Sequence, residues 1–221
     1  MSDRLRTARL SPSPDWRYAG HSVFPQGYAV PLILASASSS RRAMLEAAGV
    51  PFSVQPSSVD ETQMKLRLDP TEIALELAKA KALNVSGSHA GDWVIGSDSV
   101  VSVEGRVFDK PRSLDEAAEH LRLFSGKTMR LTSAVALARG GQIDWVHEET
   151  ADLHVRPLSN AFIADYLSEE WPAVSFCVGV FRIEGRGVQL FNRVEGSHFT
   201  ILGMPLLPLL SALRQRDQLS E

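Results

Sequence analysis

This chain of 221 residues lacks most features of secreted, membrane-spanning and nucleic-acid-binding proteins. Its one cysteine, Cys177, excludes an internal disulfide and favours a reducing compartment such as the cytoplasm. Because Cys177 lies in an apolar run, we expect a buried, inert thiol. No apolar stretch approaches the roughly 18 residues of a membrane-spanning helix, which excludes a membrane span. The formal net charge of -3 provides no field that would attract a polyanion such as duplex nucleic acid.

The composition is otherwise that of an ordinary globular protein. Hydrophobic residues make up 44% of the chain and charged residues 22%, enough for one large domain or two small lobes. Residues 1–29 differ, since they combine four arginines and three prolines without a sustained apolar period. We therefore expect a weakly structured N-terminal extension over residues 1–29 and a folded domain over residues 30–221.

Hydrophobic periodicity predicts alternating strands and helices from residue 31 onwards. Capping signals place helix starts at Thr71 and at Ser113, where Glu116 completes a capping box. Gly49 is expected to end the first helix, and Glu104-Gly105 to form a hairpin turn. The predicted strands cover residues 32–36, 52–55, 93–103, 106–108, 128–138, 142–155, 173–181 and 188–191. The predicted helices cover residues 40–48, 71–83, 113–124, 159–168 and 205–215. This order indicates a single α/β unit with a highly twisted mixed sheet, in which two lobes flank a cleft.

A serine-rich turn between the first strand and the first helix is the most informative stretch. An apolar strand ends in four serines within five positions, followed by Arg41 and Arg42. Arginines in the first turn of a helix oppose the helix macrodipole, so a purely structural purpose is unfavourable. Serine hydroxyls, backbone N–H groups at the helix N-terminus and guanidinium groups together bind oxyanions well. This turn predicts a site for phosphate or another anionic ligand.

Asp98 is the strongest single candidate for a functional residue. It lies inside the apolar run Val94-Ile-Gly-Ser-Asp-Ser-Val-Val101, where a buried carboxylate must be paired, hydrogen-bonded or coordinated. Gly96 allows a ligand or another backbone to approach closely. The structural alternative is a solvent-facing aspartate at a β-bulge. Glu61, Lys81 and Lys110 are weaker candidates, because each alone is compatible with a solvated surface.

The order of several short motifs resembles the Maf family of cytoplasmic nucleoside triphosphate pyrophosphatases, also called septum-formation inhibitors. The resemblance spans about residues 31–216. It is carried by Leu34-Ala-Ser-Ala-Ser38 with Arg41-Arg42, Val59-Asp60-Glu61, Leu77-Ala78 before Lys81-Ala82, Gly96-Ser-Asp-Ser99, Lys110-Pro111, Leu123-Phe-Ser-Gly126, and Glu195-Gly196 before Gly203-Met-Pro205. Each motif is weak alone, but together and in this order they are highly specific.

The resemblance implies a Maf and inosine-triphosphatase-like fold and hydrolysis of the bond between the α and β phosphates. The products are a nucleoside monophosphate and pyrophosphate, and a divalent metal cation (Mg²⁺, Mn²⁺ or Co²⁺) assists. By matching position, Asp98 corresponds to the proton acceptor, and Glu61 and Asp98 to the metal ligands. The positions matched to phosphate binding are Ser36, Arg41, Lys81 and Lys110, and we add Arg42 from the serine-rich turn.

Substrate preference follows from three positions that distinguish subfamilies. The pyrimidine-triphosphate branch typically has arginine, threonine and glutamine where this chain has Ser40, Ser99 and Glu184. The 7-methylguanosine-triphosphate branch shares a glutamate like Glu184 but has tryptophan at position 40 and glutamine at position 99. The chain also departs from the family pattern at Ser39, usually proline, and at Asp109, usually glycine. The resemblance therefore points away from dTTP and UTP and leaves the preferred nucleotide open.

Two classes of function compete at this point. The leading hypothesis is a hydrolase acting on modified or non-standard nucleoside triphosphates, with a 7-methyl-GTP-specific pyrophosphatase as the narrower alternative. The second class is a nucleotide-binding regulator of cell division in which hydrolysis is incidental. Asp98 favours the enzyme, because binding a triphosphate gains nothing from an unpaired carboxylate. Nucleic acid and membrane are not expected as partners, and a homodimer is left open.

Overall fold

The computed structural model describes residues 31–220, so the predicted extension over residues 1–29 lies outside the described residues. A mixed sheet of seven strands has the order β2-β1-β3-β5-β6-β7, with β4 paired to β3. The strands are β1 (Leu32–Leu34), β2 (Ser53–Val54), β3 (Trp93–Val103), β4 (Arg106–Phe108), β5 (Thr128–Arg139), β6 (Gln142–Val155) and β7 (Phe191–Glu195). The helices are α1 (Ser39–Ala47), α2 (Glu61–Lys65), α3 (Ile73–Ser86), α4 (Leu114–Phe124), α5 (Asn160–Glu170), α6 (His198–Ile201) and α7 (Leu206–Arg214). The mixed α/β class is confirmed.

The sheet changes character at β3. Strand β1 runs parallel to both β2 and β3, whereas β3, β5, β6 and β7 are successively antiparallel. Glu104 and Gly105 form the tight turn of the predicted β3–β4 hairpin, both with positive φ. Strands β3, β5 and β6 are long and carry much of the core. They are the rigid frame on which the candidate site is built.

Helices cover both faces of this frame. Helix α3 packs on one face of β3, β5 and β6 through small side chains such as Ala78 and Ala82. Helices α1 and α7 join β1 in a second apolar cluster that includes Met44, Leu209 and Leu213. A third cluster joins α4 and α5 to the far end of the sheet. Among the described helices, none is long and apolar enough to cross a membrane.

The predicted cap at Ser113 is confirmed, and serines also cap two other helices. Ser38, Ser113 and Ser159 each accept a hydrogen bond from a backbone N–H in the first turn of α1, α4 and α5. The capping box is only half formed, because the Glu116 carboxylate accepts from the backbone N–H of Arg112 instead. The predicted cap at Thr71 is wrong. Its hydroxyl donates to Asp69 at 2.6 Å, and α3 begins two residues later, at Ile73.

The predicted strand over residues 173–181 is also wrong. Ala173–Phe176 form a 3₁₀ turn, and the following backbone continues with local bonds such as Val180 N–H to Cys177 C=O at 3.1 Å. Since these turns satisfy the backbone within the segment, its apolar side chains can enter the core without joining a sheet. Val174, Val180 and Phe181 pack in the core, whereas Phe176 is exposed and lines the cleft described below. Periodicity alone cannot distinguish such a segment from a strand. Likewise, Arg186–Leu190 form a 3₁₀ turn, and the strand begins only at Phe191.

Candidate active site

A gap in the pairing along β3 opens the predicted cleft. Strand β1 pairs with β3 only over Trp93–Ile95, and β4 only over Val101–Val103. The intervening edge, residues 96–100, carries Ser97, Asp98 and Ser99. A cleft of about 1250 Å³ lies here, lined by the β1–α1 loop, α2, α3, residues 107–112, residues 173–184 and the end of α6. Because the edge is open, side chains from both faces of β3 can reach one cavity.

Asp98 is buried and lies in regular β-structure. It lies opposite Ala134 in an unbroken β3–β5 register, so the bulge alternative is wrong. Its side chain is on the face of β3 covered by α3, where Lys81 donates to Oδ1 at 2.5 Å. Asp98 is only 6% exposed, and its burial is tolerable because Lys81 provides a charged partner. The sequence-based inference that Asp98 must be paired is confirmed.

Gly96 explains how Lys81 comes so close. A Cβ at Gly96 would lie 2.1 Å from the carbonyl oxygen of Ala78 and 2.6 Å from the backbone nitrogen of Ala82. The backbone of α3 therefore rests directly on β3 at this point, and only glycine permits that approach. Lys81, adjacent to Ala82, is carried to the edge of the strand where Asp98 lies.

Glu61 supplies a second carboxylate to the same ammonium group. It opens α2, whose N-terminus is capped by Asp60 through the backbone N–H of Gln63. Glu61 Oε1 lies 2.8 Å from Lys81 Nζ. Burial raises the pKa of Glu61, but the hydrogen bond from Lys81 and the charges of Lys81, Lys65 and Lys110 outweigh that effect and lower it overall. Glu61 is thus held as a carboxylate.

The serine-rich turn directs Arg41 inwards. Arg41 is 8% exposed and donates from Nε to the Gly203 carbonyl at 2.8 Å and from Nη2 to Ser99 Oγ at 3.0 Å. Its Nη1 lies 3.3 Å from Ser36 Oγ. Burial lowers the pKa of Arg41, and the nearby charges of Asp98 and Glu61 partly offset this. A fixed, buried guanidinium therefore faces the cleft beside both carboxylates.

The structure does not bring Arg42 into this group. Arg42 is exposed and forms an ion pair with Glu46 along α1 at 3.2 Å. Adjacent residues on a helix point in different directions, so the burial of Arg41 places Arg42 on the solvent side. Lys110 does line the cleft, as an exposed side chain whose charge lowers the pKa of Glu61.

The three positions matched to substrate preference all line the cleft. Ser40 and Glu184 also line an adjoining groove of about 500 Å³, whose walls are apolar side chains of α1, α6 and α7 such as Met44, Phe199 and Leu206. Ser99 differs from the other two, because its hydroxyl is bonded to Arg41 and Ser133. The Ser99 hydroxyl therefore helps to hold Arg41 in place.

Several cleft residues escaped the sequence analysis. Cys177 was expected to be buried, but it is half-buried and lines the cleft. Its partial burial raises the pKa of the thiol. The Gly203 carbonyl and Ser133 were missed as partners of the site because they act through the backbone or from within the core. The motif around Gly203-Met-Pro205 was the one available signal for the carbonyl.

The donor set suits a hard divalent cation. In residues 31–220, no cluster of three or more His, Cys, Asp or Glu side chains is arranged to hold a metal ion. Glu61 and Asp98 nevertheless converge on one cationic group, the ammonium of Lys81, at 2.8 Å and 2.5 Å. One or two carboxylates, completed by substrate phosphates, are the usual protein contribution to Mg²⁺ binding. The residues present therefore fit such an ion when a phosphorylated ligand is bound.

Comparison with known proteins shows the family of this chain. A family model described as Maf-like protein matches residues 31–216. The chain is 46% identical over 189 residues to a 7-methyl-GTP pyrophosphatase of Rhizobium meliloti (strain 1021), covering 83% of this chain and 95% of that protein. It is 47% identical over 189 residues to a nucleoside triphosphate pyrophosphatase of Sphingopyxis alaskensis, covering 83% and 96%. A solved HAM1 protein from Coxiella burnetii is 14% identical with a TM-score of 0.40, covering 57% of this chain and 73% of that one.

Proposed function

Because this chain belongs to the Maf family, we propose that it is a nucleoside triphosphate pyrophosphatase, which releases a nucleoside monophosphate and pyrophosphate. The observation that carries the proposal is the grouping of Asp98, Lys81 and Glu61 beside the buried Arg41 in one cleft. Such a grouping combines cations that neutralise phosphate charge with a carboxylate that can take a proton. Phosphoryl transfer needs little more from a protein than these two contributions.

The proposed reaction is an in-line attack of water on the α-phosphorus. The bond from the α-phosphorus to the α–β bridging oxygen breaks, and pyrophosphate leaves with that oxygen. Asp98 accepts the proton of the attacking water, while Lys81 holds its Oδ1 in place. Arg41 and Ser36 contact the phosphates at the serine-rich turn, and Lys110 neutralises charge at the rim. We assign Arg42 no contact with the phosphates, because it is exposed and paired with Glu46.

A divalent cation completes this proposal. Glu61 and Asp98 would hold it, and when bound it supplies neutralisation of the triphosphate charge. The role left to the chain is to keep Glu61 ionised and to hold both carboxylates towards one point. The lowered pKa of Glu61 supports that role, since a protonated carboxyl group would bind a cation poorly.

The preferred substrate, we propose, is a guanine-type nucleotide, with 7-methyl-GTP as the narrower candidate. Glu184 lies where the cleft meets the apolar groove, so its carboxylate can reach a base whose faces lie against apolar walls. The guanine edge offers two adjacent donors, whereas uracil and thymine offer one donor between two acceptors. Relatives named as 7-methyl-GTP pyrophosphatases support this choice.

The test is an assay of pyrophosphate release across nucleotides. Wild-type protein and Asp98→Asn would be compared with GTP, 7-methyl-GTP, dTTP and UTP, with Mg²⁺ or Mn²⁺ and with a chelator. Release from guanine-type nucleotides that requires both Asp98 and the metal supports the enzyme. Tight nucleotide binding without release would favour the regulator of cell division instead.

The setting of the enzyme is also a proposal. A single cysteine and the formal net charge of -3 support a cytoplasmic enzyme whose partner is a small nucleotide and not a nucleic acid. We propose that the domain that carries this activity begins near residue 30; the family match, which starts at residue 31, supports this proposal.

A further inference from the structure

A row of polar side chains crosses three strands behind the cleft. Ser99 on β3 lies directly opposite Ser133 on β5, and Ser133 lies opposite Glu149 on β6. Directly opposed residues project from the same face of a sheet. Thr200 of α6 covers this row, donating from Oγ1 to Glu149 at 2.5 Å. The row connects the guanidinium of Arg41 at one end to the centre of the sheet.

The direction of each hydrogen bond follows from counting protons. The Gly203 carbonyl accepts from Arg41 Nε at 2.8 Å and from Ser97 Oγ at 3.2 Å, which uses both of its lone pairs. Ser99 Oγ also lies 3.0 Å from this carbonyl, but the carbonyl already accepts two hydrogen bonds, so we assign the Ser99 proton to Ser133 Oγ at 2.8 Å. Ser133 in turn donates to the Thr200 carbonyl at 2.8 Å. Ser99 Oγ keeps its lone pair for Arg41 Nη2.

We propose that Ser133 is a positioning residue for Arg41. It is fully buried and lines no part of the cleft, yet it fixes the rotation of the Ser99 hydroxyl and thereby the acceptor that Arg41 Nη2 meets. The guanidinium is then held at Nε, Nη1 and Nη2, and each terminal nitrogen retains one N–H for a ligand. An arginine whose fork is fixed before binding loses less freedom when it meets a phosphate.

The consequence rests on the proposed function, in which Arg41 contacts substrate phosphates. Removing the Ser133 hydroxyl takes away one of the two donors to the Thr200 carbonyl, which keeps the backbone N–H of Gly203 at 3.0 Å. It also removes the acceptor of the Ser99 proton, which then turns to the Gly203 carbonyl 3.0 Å away. Arg41 then loses its fixed acceptor at Nη2. The effect on binding is indirect, so we expect about a tenfold weaker affinity for pyrophosphate, the low end for a hydrogen bond to a charged group.

The experiment compares Ser133→Ala with Ser86→Ala. Ser86 is a matched control, because it is fully buried and accepts from the backbone N–H of Gly141 at 3.0 Å, away from the cleft. Three quantities would be measured: the melting temperature, pyrophosphate affinity by calorimetry, and the ¹H–¹⁵N signal of Arg41 Nε–H. That signal is assigned by its loss in Arg41→Lys.

In Ser133→Ala, we expect the Arg41 signal to broaden or exchange rapidly and pyrophosphate to bind about tenfold more weakly. In Ser86→Ala, the Arg41 signal and the affinity for pyrophosphate should match wild type, even if the melting temperature falls as much as in Ser133→Ala. If Ser133→Ala does not fold, Ser133→Cys gives the same comparison with a weaker donor. An unchanged Arg41 signal together with unchanged affinity would overturn the proposal. If the wild type released no pyrophosphate from any nucleotide, the proposed function would be rejected. Ser133 would still be a positioning residue if Ser133→Ala broadened the Arg41 signal and weakened pyrophosphate binding.

Discussion

The ammonium group of Lys81 lies 2.5 Å from Oδ1 of Asp98, and both side chains are buried. Neither charge could be buried alone, because an isolated ion in a protein interior is too costly. Glu61 adds a second carboxylate at 2.8 Å. The cluster therefore carries excess negative charge at the point where a cation and a triphosphate are proposed to bind. Its geometry underlies the predictions that follow.

Replacing Asp98 by asparagine should preserve the fold and lower turnover about 100-fold or more, the scale of losing a general base. The amide keeps the shape of the side chain, and Lys81 retains Glu61 as its charged partner. Steady-state pyrophosphate release and far-ultraviolet circular dichroism would measure the two effects. Near-wild-type turnover in a folded variant would remove Asp98 from the mechanism.

Replacing Arg41 by alanine should chiefly weaken triphosphate binding. The adjacent Arg42→Ala is the matched control, since Arg42 is exposed and pairs with Glu46. We expect Arg41→Ala to lower kcat/KM about 100-fold, because a charge-assisted contact and transition-state neutralisation are both lost. Arg42→Ala should stay close to wild type. Equal losses in the two variants would show that Arg42 contributes to phosphate binding after all.

Replacing Gly96 by alanine should destabilise the protein by about 3 kcal/mol or more, because the added methyl group meets the backbone of α3. Any retreat of α3 also moves Lys81 away from Asp98, so activity should fall in the remaining folded protein. Urea denaturation and specific activity would be measured together. Gly91→Ala is the control, since a Cβ at Gly91 meets nothing within 4 Å.

The pH dependence of stability should change in Glu61→Gln. Because the folded-state pKa of Glu61 lies below its ordinary value, its carboxylate contributes stability above the unfolded pKa. That contribution is lost as the pH falls through the folded pKa. The wild type should therefore melt above Glu61→Gln at pH 7, and the difference should shrink towards strongly acidic pH. A difference independent of pH would assign the effect to packing and not to charge.

The last prediction concerns the base. Wild-type protein should hydrolyse GTP and 7-methyl-GTP better than dTTP and UTP, because a carboxylate at position 184 accepts from two guanine donors. Glu184→Gln should lower the ratio of kcat/KM for GTP to kcat/KM for UTP about tenfold, the scale of one hydrogen bond to a charged group. Glu119→Gln, at an exposed position on α4, is the control. A wild-type preference for dTTP and UTP would contradict the assignment.

The sequence by itself determined the elements whose signals are local. The Ser113 cap, the helix end at Gly49 and the Glu104-Gly105 hairpin depend on short-range backbone preferences, and all three are confirmed. The sequence also required a partner for Asp98, since no carboxylate can lie unpaired in an apolar strand. Motif order was enough to indicate the family, because many short motifs in sequence are jointly specific.

Only the tertiary structure decided which polar groups meet. Lys81 and Asp98 are 17 positions apart, and their contact depends on the close approach of α3 at Gly96. Arg41 and Arg42 are adjacent and identical in type, so the local sequence does not show which of them is buried. Packing buries Arg41 and leaves Arg42 in solvent. Residues 173–181 are apolar enough for a strand, yet their backbone is satisfied by local turns. Each outcome depends on long-range packing, which no local pattern encodes.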